Sequence, residues 1–220
     1  MSSTKPSLAI IGGTGTLGSG LARRWAAAGY DIIIGSRTAE KAAAAASALA
    51  VGNGASTARG LANGEAAKAG EIIVLTVPWS NHAQILNEIK GHTAGKIVLD
   101  TTVPLVPPKV ARVQMPNEVS AALATQQRLG EGARVVAAFH NVAAHKLPTD
   151  EVIDCDVLIF GDEPKDRTIV AALVEAAGLR GIHAGPLANS VAAEALTSVL
   201  IGINRNYKVD GAGLRITGLG

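Results

Sequence analysis

The chain has 220 residues, 48% of them hydrophobic but only 3% aromatic; that length suits one large domain or a domain with a small appendage, with a core of Ala, Val, Ile and Leu, which speaks for an α/β protein rather than a β-sandwich. A net charge of +2 with scattered Lys and Arg argues against a nucleic-acid stripe or a polybasic membrane segment. Cys155 is the single cysteine, which rules out an internal disulfide and fits a reducing cytoplasm.

The N-terminal stretch has one lysine and an apolar run broken at once by glycines, so it reads as neither a signal peptide nor a membrane span. Leu8–Ile11 predicts the first strand. It leads into Gly13-x-Gly15-x-x-Gly18, after which Leu17, Leu21 and Trp25 form the apolar stripe of a helix that Gly29 ends. Strand, glycine turn and helix in that order are the setting of a dinucleotide-binding fingerprint. Gly13 permits the tight turn, Gly15 lets backbone approach a pyrophosphate, and Gly18 lets the helix pack closely on the sheet. The helix N-terminus then offers N–H groups and a partial positive charge to phosphates.

Asp31–Gly35 is the second strand, a continuous apolar run of the buried parallel kind. Thr38–Ala50 predicts an alanine-rich helix packed tightly on a sheet. A short third strand at Thr57–Gly60 and a short helix at Asn63–Ala69 follow, then a strand at Ile72–Thr76, a helix at Asn81–Lys90 and a strand at Ile97–Asp100. Thr101–Asn117 holds Pro104, Pro107, Pro108 and Pro116 and reads as an ordered loop. Val119–Leu129 is helical and Arg134–Ala138 a strand. Strands at Val157–Phe160 and Arg180–Ala184 flank a helix from Pro164 to Ala177. Asn189–Tyr207 is a long terminal helix whose apolar residues Val191, Ala195, Leu196, Val199, Leu200 and Ile203 spread wider than one buried face requires. Either a dimer contact or burial inside the monomer accounts for that spread. The order predicts a Rossmann-type doubly wound parallel sheet over 1–138 and a small C-terminal α/β cap over 139–220, packed at the carboxyl edge where ligands bind.

The dinucleotide's identity is read about 20 residues past the glycines, at the end of strand two. No carboxylate stands there to take a ribose 2′-hydroxyl. Instead Ser36, Arg37 and Thr38, with Lys41 one turn on, offer a guanidinium fork and hydroxyl donors suited to the 2′-phosphate of NADP. Thr76-Val77-Pro78-Trp79 ends the fourth strand on the nicotinamide side, with Pro78 turning the chain. Trp79 either covers the cofactor or plugs core, and His82 either bonds the cofactor or sits part-exposed on its helix.

Candidate acid–base groups are few: His140, His145 and His183 lie near predicted strand ends. There is no Tyr-x-x-x-Lys pair, nucleophile elbow, metal-spaced His/Cys cluster or carboxylate pair, so no catalytic residue and no metal site is expected. A dinucleotide site without a proton donor suggests hydride transfer between two cofactors, with the protein supplying position and shielding.

Gly12–Gly18, Gly35-Ser36-Arg37 with Lys41, Thr76–Trp79, Gly185-Pro186-Leu187-Ala188-Asn189-Ser190 and Gly213-Leu214-Arg215 together resemble the NADPH-dependent reductases of the deazaflavin coenzyme F420. The resemblance spans nearly the whole chain and implies an oxidoreductase with a compact Rossmann domain and a small C-terminal domain, using NADP and coenzyme F420. It implies that Thr14, Thr16 and Leu17 contact the phosphates and that Ser36, Arg37 and Lys41 hold the 2′-phosphate. It implies that Val77, Trp79 and His82 border the nicotinamide. Phe139, His140, Asn141, Val142, Ala143 and Ala144 would wall the nicotinamide from the deazaflavin, the small alanines suiting rings that approach to roughly 3–3.5 Å. Two departures stand out: Ala143 replaces a proline, and an extra residue falls near Ser80-Asn81. The partners expected are small-molecule redox cofactors and a second copy of the chain, with no nucleic acid or membrane. The competing readings are an NADPH-dependent reductase of a small imine or carbonyl compound, with His140 or His145 as proton donor, and a non-enzymatic NADP-binding regulator.

Overall fold

The computed structural model describes residues 5–49 and 57–219; Ala50, the expected end of the second helix, lies outside them. Its elements in chain order are β1 (Leu8–Ile11), α1 (Thr16–Ala27), β2 (Ile32–Ser36), α2 (Ala39–Ser47), β3 (Ala58–Ala62), α3 (Asn63–Ala69), β4 (Ile72–Leu75), α4 (Trp79–Ile89), β5 (Ile97–Asp100), α5 (Ala121–Leu129), β6 (Arg134–Ala137), β7 (Asp156–Phe160), α6 (Pro164–Ala176), β8 (Arg180–Gly185) and α7 (Ser190–Tyr207). One sheet runs β3-β2-β1-β4-β5-β6-β7-β8. The first six strands are parallel, and their order reverses at β1, the switch point where this architecture opens a crevice.

The inner strands β1, β2 and β4 are buried on both faces because both faces are covered. Leu8 and Ile10 face a core with Trp25, Ala42 and Leu173; Ala9 and Ile11 face another with Ala66, Leu86 and Ala122. Trp25 crosses the first layer: its indole N–H donates to the Leu173 carbonyl at 2.7 Å and its ring meets Phe139 edge-on at 5.9 Å. Helix α2 meets β3 closely at Gly60, and only Ala42 and Ala46 of its alanines are buried. A Cβ on Gly60 of β3 would fall 2.0 Å from the Ala42 backbone, so helix and edge strand touch through their main chains.

The C-terminal third, expected as a smaller α/β unit, joins the same sheet. β7 runs antiparallel to β6 through the single register pair Ala137↔Phe160, and β8 lies parallel to β7. Arg180 on β8 grips Asp156 on β7 with two 2.7 Å bonds, and these, with the Ile216 N–H, pull the Asp156 carboxyl down to about 2 against the opposing effect of burial. α7 packs on α5 through Glu194, whose oxygens accept the Ala121 and Ala122 N–H groups at 2.6 and 3.2 Å. Burial raises the Glu194 carboxyl to about 7 in spite of those donors. A carboxyl raised on folding binds its proton more tightly in the native state, so its contribution is present at low pH and is lost as pH climbs from about 4.3 through that folded value. Urea unfolding at several pH values between 4.5 and 8 should show this loss in the wild type and a flatter profile in Glu194→Gln.

Candidate cofactor site

The turn after β1 is tighter than its sequence suggested. The glycine with positive φ is Gly12 (+80°), one residue before the one assigned to the turn. Gly13 is required for space instead: a Cβ there would lie 2.8 Å from the Ile10 carbonyl oxygen. At Gly18 a Cβ would come within 2.6 Å of Thr76 Oγ1 and 2.8 Å of Gly13 Cα, which is the close helix–sheet approach expected. Gly15 differs, since nothing lies within 3.4 Å of its would-be Cβ; protein atoms do not demand that glycine. No side chain caps α1 at Gly15 and no acid stands in its first turn, so the helix meets the crevice with its own N–H groups.

That crevice is a cavity of about 860 Å³ at the carboxyl ends of β1, β2, β4 and β5, within the range of cofactor sites. Thr14, Gly15, Thr16 and Leu17 form its middle, and Ser36, Arg37, Thr38 and Lys41 one end. Thr38 caps α2, accepting the Lys41 N–H at 3.4 Å, which sets Lys41 one turn beyond Arg37. Neither Arg37 nor Lys41 forms an ion pair among the described residues, and no carboxylate lines the cavity. The other end is more apolar: Val77, Pro78, Ile85, Val103 and Leu105, with Thr101 and Thr102.

Trp79 and His82 do not line this cavity. Trp79 opens α4 and its ring lies 4.9 Å from that of His82. His82 is only 2% exposed, so neither a part-exposed position nor a place at the cavity surface describes it. Its Nε2 faces Asp100 Oδ2 at 3.3 Å and the Thr125 hydroxyl at 2.8 Å. Thr125 donates to the same carboxylate oxygen at 2.5 Å, and Asp100 Oδ1 accepts the Thr102 N–H at 2.8 Å. Burial alone would raise the Asp100 carboxyl, but the His82, Thr102 and Thr125 hydrogen bonds, with the His82 charge, hold it below the usual carboxylate range. Asp100 thus pins the first residues of the loop after β5, and Thr102 sits on the cavity wall with a buried hydroxyl that has no protein partner. Asn63 Oδ1 is a second such orphan on this wall. Unsatisfied buried polar atoms at a cavity are places where a ligand completes the hydrogen bonding.

The expected wall, Phe139–Ala144, lies apart from the large cavity. Phe139 takes φ +68°, a region bulky residues seldom occupy, and the chain swings sharply out of β6. His140, Asn141, Val142 and Ala143 then line a separate hollow of about 150 Å³ against Thr197 and Leu200 of α7. Ala144 begins a 3₁₀ turn. His140 is buried with both ring nitrogens unpartnered, and desolvation, opposed by the Asp100 charge, lowers it to about 4. His145 is exposed and pairs with Asp210 at 2.8 Å.

Two residues that the sequence did not single out tie this segment to α1. A Cβ on Gly20 of α1 would sit 2.5 Å from Leu147 Cβ. Arg24 of α1 donates to the carbonyls of Lys146, Leu147, Thr149, Glu151 and Ala177. Helix α1, whose first residues line the large cavity, and the chain following residues 139–144 therefore form one packed body.

A Rossmann-like sheet with an acid-free, cation-ended cavity at its switch point defines a dinucleotide-binding α/β protein. Residues 7–104 match the family described as NADP oxidoreductase, coenzyme F420-dependent. Over 96% of its length the chain is 39% identical to the F420-dependent NADP reductase of Methanothermobacter thermautotrophicus, covering 95% of that protein, and 38% identical to that of Methanocaldococcus jannaschii, covering 98%. The chain belongs to this family of F420-dependent NADP reductases. Among solved structures, a candidate F420-dependent NADP-reductase from Arthrobacter sp. FB24 superposes with a TM-score of 0.78 at 23% identity, over 96% of this chain and 99% of that one. An imine reductase from Myxococcus stipitatus reaches 0.64 at 20% identity, over 93% and 62%; both likenesses speak to the fold.

Proposed function

We propose that this protein is an NADPH:F420 oxidoreductase, moving hydride between NADP(H) and the deazaflavin coenzyme F420. The observation that carries the reading is the cavity itself: an acid-free end with Arg37 and Lys41 for a 2′-phosphate, a bare helix N-terminus for the pyrophosphate, and an apolar end with the orphan Thr102 hydroxyl. When bound, the two coenzymes supply the hydride donor and acceptor. The protein's own residues then bind and orient them. Gly13, Thr14, Gly15, Thr16, Leu17 and Gly18 serve the phosphates, Ser36, Arg37 and Lys41 the 2′-phosphate, and Val77 and Pro78 the nicotinamide end, with Trp79 and His82 behind it. His140, Val142, Ala143 and Ala144 serve the deazaflavin side. Residues 1–138 form the nucleotide-binding unit and 139–220 the unit that completes the deazaflavin site. Part-exposed Leu196 and Ile203 with exposed Val199 support α7 as the contact of a homodimer. Leu187–Tyr207 is long and apolar enough to cross a membrane, but Glu194 is buried within it against α5; with the scattered charge, this favours a cytoplasmic protein without membrane or nucleic-acid partners.

What weighs against a small imine or carbonyl reductase is His140. A group lowered to about 4 is neutral at pH 7 and a poor proton donor, and His145 lies out on the surface with Asp210. The test mixes purified protein with NADPH and oxidised F420 and follows the deazaflavin's visible absorbance, with NADH as control. Bleaching with NADPH is expected. His140→Ala and His145→Ala should each lose less than about tenfold in kcat, against the 10²–10⁴-fold loss typical of a removed general acid. No bleaching with NADPH binding intact points to a small-molecule reductase or a nucleotide-binding regulator.

A further inference from the structure

We propose that Glu194 is a proton-operated positioning residue: the state of its carboxylate, shared with the Ser120 and Ser190 hydroxyls, sets how firmly α7 holds the His140–Asn141 segment. Only the turnover it controls rests on the function proposed above. The three side chains meet near the starts of α5 and α7. Ser120 and Ser190 are fully buried and Glu194 is 1% exposed. None of them lines either of the two cavities described above, and no step of the proposed reaction uses them.

The hydrogen bonds of this cluster can run in two directions. Ser190 Oγ lies 3.0 Å from Ser120 Oγ and 3.2 Å from Glu194 Oε1, but a hydroxyl has one hydrogen to give. Ser120 Oγ also accepts the Leu123 N–H at 3.0 Å. With Glu194 ionised, every hydrogen points toward it. Ser120 donates to Ser190, Ser190 donates to Glu194 Oε1, and the Ala121 and Ala122 N–H groups meet the two carboxylate oxygens. A proton on Oε1 turns the chain round: Glu194 donates to Ser190, and Ser190 to Ser120. The Ala122 N–H then faces a neutral oxygen. One packing thus carries two bonding patterns, and the charge-assisted pattern binds α7 to α5 the more strongly.

The turn of α7 that Glu194 anchors also carries the 140–141 segment. The Asn141 side-chain amide donates to the Ala193 carbonyl at 2.8 Å and to Thr197 Oγ1 at 3.2 Å, and the Thr197 hydroxyl donates to the His140 carbonyl at 2.9 Å. Few charges surround the switch. α7 has no other until Arg205 in its last turn, and α5 none until Arg128 in its own. Asp100 on β5 acts in the same direction as burial, toward the neutral acid. Asp162, beyond β7, accepts the Leu187 N–H at 3.0 Å, and His140, beyond β6, is held at about 4 and carries no charge near neutrality. Burial and Asp100 on one side, the two amides and Ser190 on the other, leave Glu194 at about 7, where a small change of pH moves its proton.

The experiment follows amide NMR shifts of the whole chain across neutral pH. The Ala121 and Ala122 amides should titrate together with a midpoint near 7, and the Asn141 side-chain amide should share that midpoint. In Glu194→Gln, which keeps the shape and has no proton to lose, that midpoint should vanish from all three. The kcat values of wild type and Glu194→Gln with NADPH and F420 should coincide in acid and separate about fivefold above the midpoint, the worth of one ordinary hydrogen bond. Taking their ratio cancels the ionisations of the coenzymes themselves. Ala121 and Ala122 amides that do not titrate, an Asn141 amide that does not follow them, or a kcat ratio constant with pH overturns the switch. No F420 reduction by wild type overturns the proposed function and leaves the spectra to decide the switch. Should Glu194→Gln melt early, Ser190→Ala decides: loss of a donor to the carboxylate should move the shared midpoint upward, and an unmoved midpoint overturns the proposal.

Discussion

Replacing Arg37 with alanine should raise KM for NADPH by about 10- to 100-fold and leave KM for NADH within about twofold. The size follows from one or two charge-assisted hydrogen bonds, each about 1.5–3 kcal/mol. The selectivity follows from chemistry: Arg37 lies with Lys41 at the acid-free end of the cavity, and of the two nucleotides only NADPH carries a 2′-phosphate for a guanidinium to bind. Arg37→Lys should recover only part of the loss, because an ammonium keeps the charge but not the fork. Steady-state kinetics with both nucleotides decides the matter. Equal weakening of the two would mean that Arg37 does not serve the 2′-phosphate.

Asp100→Ala should be among the most damaging single changes to stability. It strands His82 and Thr125 in a closed interior and frees the Thr102 N–H, and each buried polar group left without its partner costs about 1–3 kcal/mol. Urea unfolding should report that loss, and NADPH titration should report weakened binding because Thr101, Thr102 and Val103 lose their anchor. Asp100→Asn keeps the volume and separates charge from packing. The Asp100 carboxyl is held below its ordinary value, so its stabilisation is fully present above an unfolded pKa of about 3.9 and is lost as pH falls through the lower folded value. Wild type and Asp100→Asn should therefore differ at pH 7 and converge in acid. A constant gap across that range would show that the charge contributes nothing.

The sheet was legible because its inner strands β1, β2 and β4 write themselves as buried apolar runs, and the turn after β1 because three glycines mark it. The grouping of Ser36, Arg37, Thr38 and Lys41 at one cavity wall was legible because it is local: they lie within one strand end and one helical turn. The Asp100 network was not. His82, Asp100 and Thr125 stand 18 and 25 residues apart, on α4, β5 and α5, and no local spacing joins them. One signal was available, an acid closing the otherwise apolar strand Ile97–Asp100 at the carboxyl edge. The sense of β7 was hidden for another reason. A buried strand has the same composition in either direction, and only one register pair joins β7 to β6. The place of the positive φ, Gly12 rather than Gly13, escaped because adjacent glycines are indistinguishable until the backbone is traced.

Gly60 touches no part of the cavity, yet it governs one of its walls. The α2 backbone at Ala42 occupies the space of any side chain at position 60, and α2 carries Thr38 and Lys41 at its start. A larger residue at Gly60 must push that helix outward and take the ammonium with it. The set of the cavity's cationic wall therefore depends in part on an edge strand, at a position that a survey of cavity-lining residues would score as silent. No side-chain change at 42 relieves that contact, because main chain fills the space, so position 60 can reset Lys41 without altering any residue that lines the cavity.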